Sequence, residues 1–271
     1  MKTNATVCLD AGHYGNYNRS PVLPEYYESH MAWTLQQLLK TQLESYGITV
    51  TTTRSDRSKD LPLVERGKKS KGADLFVSLH SNAATSPNPD WVVGICQVQN
   101  ERSRLIATAL SEAAANVMGL TYQITTKASA QDRDKDGRKD DYYGVLRGAT
   151  QVGTTGVILE HGFHTNEANT RWLIKQSNLE KLAEAEAKAI ATWLGMGEKL
   201  VQISVPVLKK GMKNDSVRSL QALLAGYGSE IDVDGSFGPA TDKLVRAYQT
   251  VSGLTVDGSV GPATWNSLLG R

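Results

Sequence analysis

Three residues that can bind a metal or move a proton follow apolar stretches typical of buried strands. His13 comes after ATVCLDAG, His80 ends DLFVSLH and Glu160 ends TTGVILE. In open α/β sheets, ligands bind at the carboxyl edge of the strands, where the loops diverge and leave a crevice. We therefore expect these side chains, which are far apart in the chain, to share one site. Glu28 begins the first long helix, which starts from the same edge, and is a fourth candidate.

Two imidazoles and one carboxylate, with a fourth position open, are the ligand set of a catalytic zinc ion. The carboxylate that remains can then act as a general base. The alternative interpretation is that each histidine is an ordinary hydrogen-bonded residue at a strand end. The residue pattern alone leaves both interpretations open.

The elements that would position these side chains alternate between strand and helix patterns. This alternation indicates an α/β domain with a mostly parallel, twisted sheet flanked by helices. The predicted strands are, in order, 5–10, 48–53, 73–80, 91–98 and 154–160. The predicted helices are 28–47, 61–72, 101–119 and a pair covering about 168–194.

A duplicated segment near the end of the chain indicates a second, smaller domain. VDGSFGPAT begins at Val233, and VDGSVGPAT begins 23 positions later at Val256. In each copy, Asp-Gly predicts a tight turn, and the proline stands at the first position of a helix. A third helix, before these two, is predicted with Asn214 or Asp215 as its N-cap. The pattern thus predicts an all-α module of three short helices.

The stretch before this module contains glycine and proline and has no helical period, which is typical of a linker. We therefore divide the chain into a domain at 1–197, a linker at 198–206 and the three-helix module at 207–271. Cutting the chain before residue 207 leaves a formal charge of +1 on each part. Neither part is therefore a strongly charged tail.

Composition excludes several classes of protein. The 271 residues are 40% hydrophobic and 21% charged, which is typical of a globular protein and not of a disordered or fibrous one. The net charge of +2, with no concentrated basic face, argues against a nucleic-acid partner. No apolar stretch reaches 18 residues, so we expect no membrane insertion. Cys8 and Cys96 are too few for a disulfide framework, and we expect free thiols.

Four separated segments, in order, resemble the signatures of the zinc-dependent N-acetylmuramoyl-L-alanine amidases, enzymes that cut bacterial peptidoglycan. The segments are DAGHYG, PEYYESHMAW, SLHSNAA and ILEHGFHTN, and the resemblance covers about residues 5–195. It implies that His13, Glu28 and His80 bind Zn²⁺ and that Glu160 is the catalytic residue. The terminal repeats resemble the peptidoglycan-binding modules that accompany such enzymes.

Some positions depart from the family pattern or compete with it. The family commonly has two glycines after the first histidine, whereas here Tyr14 precedes Gly15, which would alter the rim of the site and not its ligands. Glu25 is the runner-up to Glu28 as a ligand, but the position at the helix start favours Glu28. His30 is interpreted as structural.

Four further residues border the expected site. His161 and His164 flank the catalytic segment, and we interpret them as rim or hydrogen-bonding groups. The resemblance also makes Asn82, in the segment SLHSNAA, and Arg147, in YYGVLR, candidates for substrate contacts.

The segment DRDKDGRKDDYY, which begins at Asp132, matches the opening of a calcium-binding EF-hand loop. Its twelfth position is Tyr143, where the motif requires a bidentate glutamate. We therefore favour a solvated, charged loop, with calcium binding as the alternative.

The resemblance implies hydrolysis of the amide bond between N-acetylmuramic acid and L-alanine in peptidoglycan. Two alternatives are a zinc peptidase that cuts within the stem peptide and a non-catalytic wall-binding protein. Because MKTNATVCLD has no apolar signal region, we expect cytoplasmic synthesis and action on the wall after holin-mediated release or lysis. Phage endolysin and bacterial autolysin both fit, and the host, the stem-peptide preference and the oligomeric state are left open.

Overall fold

The computed structural model describes residues 5–133, 137, 139–196 and 206–269. The chain divides into two compact units, Met1–Leu200 and Val201–Arg271, which are described separately. The predicted linker at 198–206 lies outside the described residues except for its last position.

The first unit contains a six-stranded sheet with the order β2-β1-β3-β6-β4-β5. Strands β2, β1, β3 and β6 are parallel, whereas β4 is antiparallel to β6 and parallel to β5. The predicted mostly parallel sheet is confirmed. The strands are β1 (Thr6–Ala11), β2 (Thr49–Thr52), β3 (Leu75–Asn82), β4 (Val92–Cys96), β5 (Tyr122–Thr125) and β6 (Thr155–Phe163).

Helices cover both faces of this sheet. They are α1 (Glu28–Glu44), α2 (Leu63–Lys68), α3 (Glu101–Met118), α4 (Gly144–Gln151), α5 (Glu167–Leu173) and α6 (Gln176–Trp193). Along β1, Val7 and Leu9 pack in one core with α1, α3 and α6, whereas Cys8 lies in a second core with α4. Alternate residues of a strand point to opposite faces. Both faces are buried, which explains why the strands read as continuous apolar runs.

Two glycines let α2 and α4 approach each other closely. A Cβ at Gly67 would lie 2.0 Å from the Val145 carbonyl oxygen, and one at Gly148 would lie 2.1 Å from the Val64 carbonyl oxygen. Any side chain at either position would push the helices apart. The start of α4 is thereby held against α2.

Some elements differ from the sequence prediction. Strand β5 and helix α4 were not predicted, because β5 is mostly exposed and polar and α4 is short. Strand β6 runs three residues beyond Glu160. Among the described residues, no helix combines the length and apolar character that crossing a membrane requires. Cys8 and Cys96 are free and buried, as expected.

The described residues of the second unit, 206–269, form three helices, which confirms the predicted all-α module. They are α7 (Asp215–Gly226), α8 (Pro239–Val251) and α9 (Pro262–Leu268). Asn214 caps α7 by accepting a hydrogen bond from the Val217 amide at 3.0 Å. The helices share a core of their own, which includes Phe237 and Trp265.

Candidate active site

The loop after β1, the start of α1 and the end of β3 bring His13, Glu28 and His80 together. The Glu28 Oε1 atom lies 2.8 Å from His80 Nδ1, and its Oε2 atom lies 3.2 Å from His13 Nε2. One possible ligand atom from each of the three residues lies within 4.8 Å of the others. No other group within the described part of the chain forms such a candidate metal cluster.

The local backbone explains why these side chains converge. Strands β1 and β3 are neighbours, and the Gly12 amide donates to the Leu79 carbonyl at 2.9 Å. A Cβ at Gly12 would lie 2.5 Å from the His80 ring, so the residue before His13 has to be glycine. His13 itself has a φ of +56°, in the left-handed region that residues other than glycine rarely adopt.

Glu28 is 2% exposed and accepts hydrogen bonds from further donors. The Asn18 side-chain amide donates to Oε2 at 2.7 Å, and the Ser81 backbone amide donates to Oε1 at 3.1 Å. Burial alone would raise the pKa of Glu28, but the hydrogen bonds with His13 and His80, together with their charges, hold it well below its usual range. An ionised carboxylate between two imidazoles fits the donor set of Zn²⁺.

Glu160 lies on β6, the strand next to β3, directly across from His80 in the register of the two strands. Its Oε2 atom is buried, and no described residue gives that atom a hydrogen bond. Burial, and then the charge of Glu28, raise the pKa of Glu160 well above its ordinary value. The side chain lines a cavity of about 260 Å³ together with His13, His80 and Tyr143.

A family model described as N-acetylmuramoyl-L-alanine amidase matches residues 7–192. The chain belongs to this family. A second model, described as a putative peptidoglycan binding domain, matches residues 213–268.

Solved amidase structures share the fold of the first unit. The catalytic domain of the amidase CwlV from Bacillus (Paenibacillus) polymyxa var. colistinus has a TM-score of 0.60 and 22% identity, covering 71% of this chain and 99% of that one. The Clostridioides difficile amidase CwlD, in complex with the GerS lipoprotein, has a TM-score of 0.60 and 20% identity, covering 70% of this chain and 98% of that one. The amidase AmiC2 of Nostoc punctiforme has a TM-score of 0.58 and 20% identity, covering 70% of this chain and 97% of that one.

A curated relative, the zinc D-Ala-D-Ala carboxypeptidase of Streptomyces albus G, is 44% identical over 64 residues. The match spans 22% of this chain and 25% of that relative. This chain therefore covers about a quarter of the relative's length.

The structure does not bring Glu25 to the group around Glu28. Glu25 is exposed and lines a separate cavity with Tyr27 and His30. The His30 Nε2 atom lies 2.7 Å from Asn16 Oδ1, outside the cluster.

The two candidates for substrate contacts, Asn82 and Arg147, do not line the cavity of Glu160. The Asn82 side-chain oxygen accepts a hydrogen bond from the Ala83 amide at 2.8 Å. Arg147 Nη1 donates to the carbonyl oxygens of Asp141 at 2.8 Å and Tyr142 at 3.2 Å. The Arg147 guanidinium therefore braces the segment that precedes α4.

The two histidines beside Glu160 are buried hydrogen-bonding groups and do not form a rim. The His161 Nε2 atom lies 2.7 Å from Glu186 Oε1. The His164 Nδ1 atom lies 2.9 Å from the Ser81 carbonyl oxygen and 3.9 Å from Glu28 Oε2.

Sequence reasoning also missed Asn18, whose contact with Glu28 depends on a loop without a motif.

The EF-hand-like segment at Asp132 lies partly outside the described residues, which omit 134–136 and 138. Within the described part, Asp132 Oδ2 accepts a hydrogen bond from the Gly137 amide at 3.0 Å. The Asp141 carboxylate accepts from the Val98 amide at 2.7 Å and from the Thr150 hydroxyl at 2.8 Å. The preference for a solvated, charged loop, with calcium binding as the alternative, stays a prediction.

Proposed function

We propose that this chain hydrolyses the amide bond between N-acetylmuramic acid and L-alanine in peptidoglycan, with Zn²⁺ held by His13, Glu28 and His80. The observation that carries the proposal is the position of the Glu28 carboxylate between two imidazoles, with the buried carboxyl group of Glu160 on the strand next to that of His80. Membership of the amidase family supports the choice of bond.

Bound zinc would supply Lewis acidity, which polarises a carbonyl group and lowers the pKa of water to about 7. His13 and His80 would each offer a ring nitrogen to the cation, and Glu28 would offer its carboxylate. The hydrogen bonds from Asn18 and Ser81 fix the orientation of the Glu28 carboxylate. Outer groups of this kind set the geometry and basicity of metal ligands.

Glu160 would act as the general base and then as the general acid. It takes a proton from the attacking water and returns it to the alanine nitrogen, so that a neutral amine leaves. A base works best when its pKa lies near the working pH, and the raised pKa of Glu160 is a shift in that direction. Its Oε2 atom has no described protein partner that would compete for the proton.

The second unit would hold the enzyme on its insoluble substrate. A tethered binding site raises the effective concentration of the catalytic unit at the polymer. We expect a chain that ends at Glu198 to cut soluble fragments at the rate of the full chain but to sediment less with purified walls. Equal sedimentation of the two chains would contradict the binding role.

Mass spectrometry of digested peptidoglycan tests the proposed bond. The amidase reaction frees the α-amino group of L-alanine and leaves the sugar strands intact. A new N-terminus inside the stem peptide would instead identify a peptidase, and the absence of any cleavage would identify a wall-binding protein. The peptidase has weaker support, because the carboxypeptidase relative matches only 22% of this chain.

A further inference from the structure

Tyr143 lies in the cavity that holds Glu160, although it belongs to none of the four signature segments. It immediately precedes α4 and lines the cavity of Glu160 together with His13 and His80. Its side chain is half-buried. Burial, and then the charge of Glu160, raise the pKa of Tyr143 above its ordinary value. The phenol therefore keeps its proton at neutral pH and can donate a hydrogen bond.

The Tyr143 hydroxyl has no hydrogen-bond partner among the described residues. Other tyrosines in the chain show the contrast. The Tyr26 hydroxyl donates to Ser81 Oγ at 2.8 Å, and the Tyr227 hydroxyl donates to the Leu268 carbonyl at 2.9 Å. A phenol that lines a cavity without a protein partner is available to a ligand.

The backbone around Tyr143 is held on both sides. The Arg147 amide donates to the Tyr143 carbonyl at 3.0 Å, and the Arg147 guanidinium holds the two residues before Tyr143. On the other side, a Cβ at Gly144 would lie 2.7 Å from Leu63 Cβ. The hydroxyl is thus carried by a fixed segment, as a preorganised donor should be.

We infer that the Tyr143 hydroxyl donates a hydrogen bond to the carbonyl oxygen of the scissile amide. This inference rests on the proposed function. When water adds to the carbonyl carbon, the π electrons move onto that oxygen, and a positioned donor stabilises the developing charge. The proton stays on Tyr143, while Glu160 carries the proton that leaves the water. Arg147 is a positioning residue for this donor.

The test compares Tyr143→Phe with the matched control Tyr142→Phe in the full chain. Tyr142 is the exposed neighbour, and its ring lies edge-on to that of Tyr143, with 5.3 Å between the two ring centroids. Each variant is assayed on a soluble N-acetylmuramoyl peptide for kcat, KM and pH profile, together with its zinc content and unfolding temperature. For Tyr143→Phe we expect kcat to fall on the order of 10- to 100-fold, since losing one such donor typically costs 10²- to 10³-fold where no metal assists.

We expect KM within about twofold of wild type, and unchanged zinc content, unfolding temperature and pH profile, because the interaction forms mainly in the transition state. Tyr142→Phe should match wild type throughout. A wild-type kcat in Tyr143→Phe, or a change in KM alone, would overturn the inference. A shift in the acidic limb of the pH profile would also overturn it, because it would mean that Tyr143 acts through Glu160. Products of the wild-type digest are identified in parallel. Cleavage at another bond would defeat the proposed function, while the two variants would still test the donor at that carbonyl.

Discussion

The His161 Nε2 atom lies 2.7 Å from Glu186 Oε1, and both side chains are fully buried between β6 and α6. His161 follows Glu160 directly, and its Nδ1 atom donates to the His80 carbonyl oxygen at 2.9 Å. Burial alone would lower the pKa of His161, but the charge of Glu186 and the hydrogen bond with it raise that pKa above its usual value. The pair therefore links α6 to the two strands that carry His80 and Glu160.

Removing one partner of this pair should destabilise the first unit. Glu186→Ala leaves a buried imidazole without its partner, and we expect a loss of about 3–5 kcal/mol in the free energy of unfolding, measured in urea. Glu180→Ala, at an exposed position of the same helix, should change it by no more than about 0.5 kcal/mol. Equal effects of the two substitutions would show that the buried pair has no special contribution.

Glu28 and Glu25 give a matched pair for the metal site. Glu28→Gln keeps the size of the side chain but removes the charge between the two imidazoles. Residues that only hydrogen-bond to metal ligands already change the metal affinity by about 10- to 100-fold when they are mutated. Loss of a ligand itself should therefore weaken zinc binding by more than tenfold. Zinc content after dialysis measures this, and Glu25→Gln should retain the metal of wild type. Retention of zinc by Glu28→Gln would remove Glu28 from the ligand set.

The sequence could predict which residues share the edge of the sheet, because His13, His80 and Glu160 each follow an apolar run typical of a buried strand. The three residues lie at or near the carboxyl ends of β1, β3 and β6. It could not predict that these three strands are adjacent, since strand order depends on packing between distant segments. The polar strand β5 escaped prediction because its mostly exposed side chains give no apolar alternation.

Contacts made by loop residues could not be predicted from the sequence for a different reason. Asn18 reaches Glu28 from a loop residue with a φ of +52°, a conformation that no local motif requires here. Arg147 was predicted near the substrate, but its guanidinium turns back to its own segment, and the neighbouring Tyr143 lines the cavity instead. Side-chain direction depends on tertiary packing, which spacing along the chain does not encode.

Glu160→Gln should separate catalysis from metal binding. The amide cannot accept the proton from water, so we expect kcat to fall about 10²- to 10⁴-fold. Zinc content should stay at the wild-type level, because Glu160 lies outside the cluster of His13, Glu28 and His80. Turnover of a soluble muropeptide and metal analysis on one preparation check both parts. Wild-type turnover would contradict the role of Glu160 as the base, and loss of zinc would make it a ligand.

The second unit repeats one hydrogen-bond arrangement in its two copies of the duplicated segment. The Gln221 side chain accepts from the Gly235 amide at 2.7 Å, and the Gln249 side chain accepts from the Gly258 amide at 3.0 Å. Each glutamine amide nitrogen also lies within hydrogen-bond distance of the aspartate and the serine carbonyl of the turn that follows it, and of a threonine hydroxyl near the start of the next helix. A buried glutamine on each of α7 and α8 thus fixes the turn that follows the helix.

Gln221→Ala and Gln249→Ala should therefore have similar effects. Each leaves a buried glycine N–H unpaired, and an unsatisfied group of this kind costs about 1–3 kcal/mol. Amide hydrogen exchange across α7 to α9 should accelerate by roughly 5- to 150-fold in either variant. The amides of α1 and α6 should exchange as in wild type, because they belong to the other unit. Asn266→Ala, at an exposed position of α9, is the control and should leave exchange unchanged. If one glutamine variant matched this control while the other did not, the two copies would differ in stability despite their shared geometry.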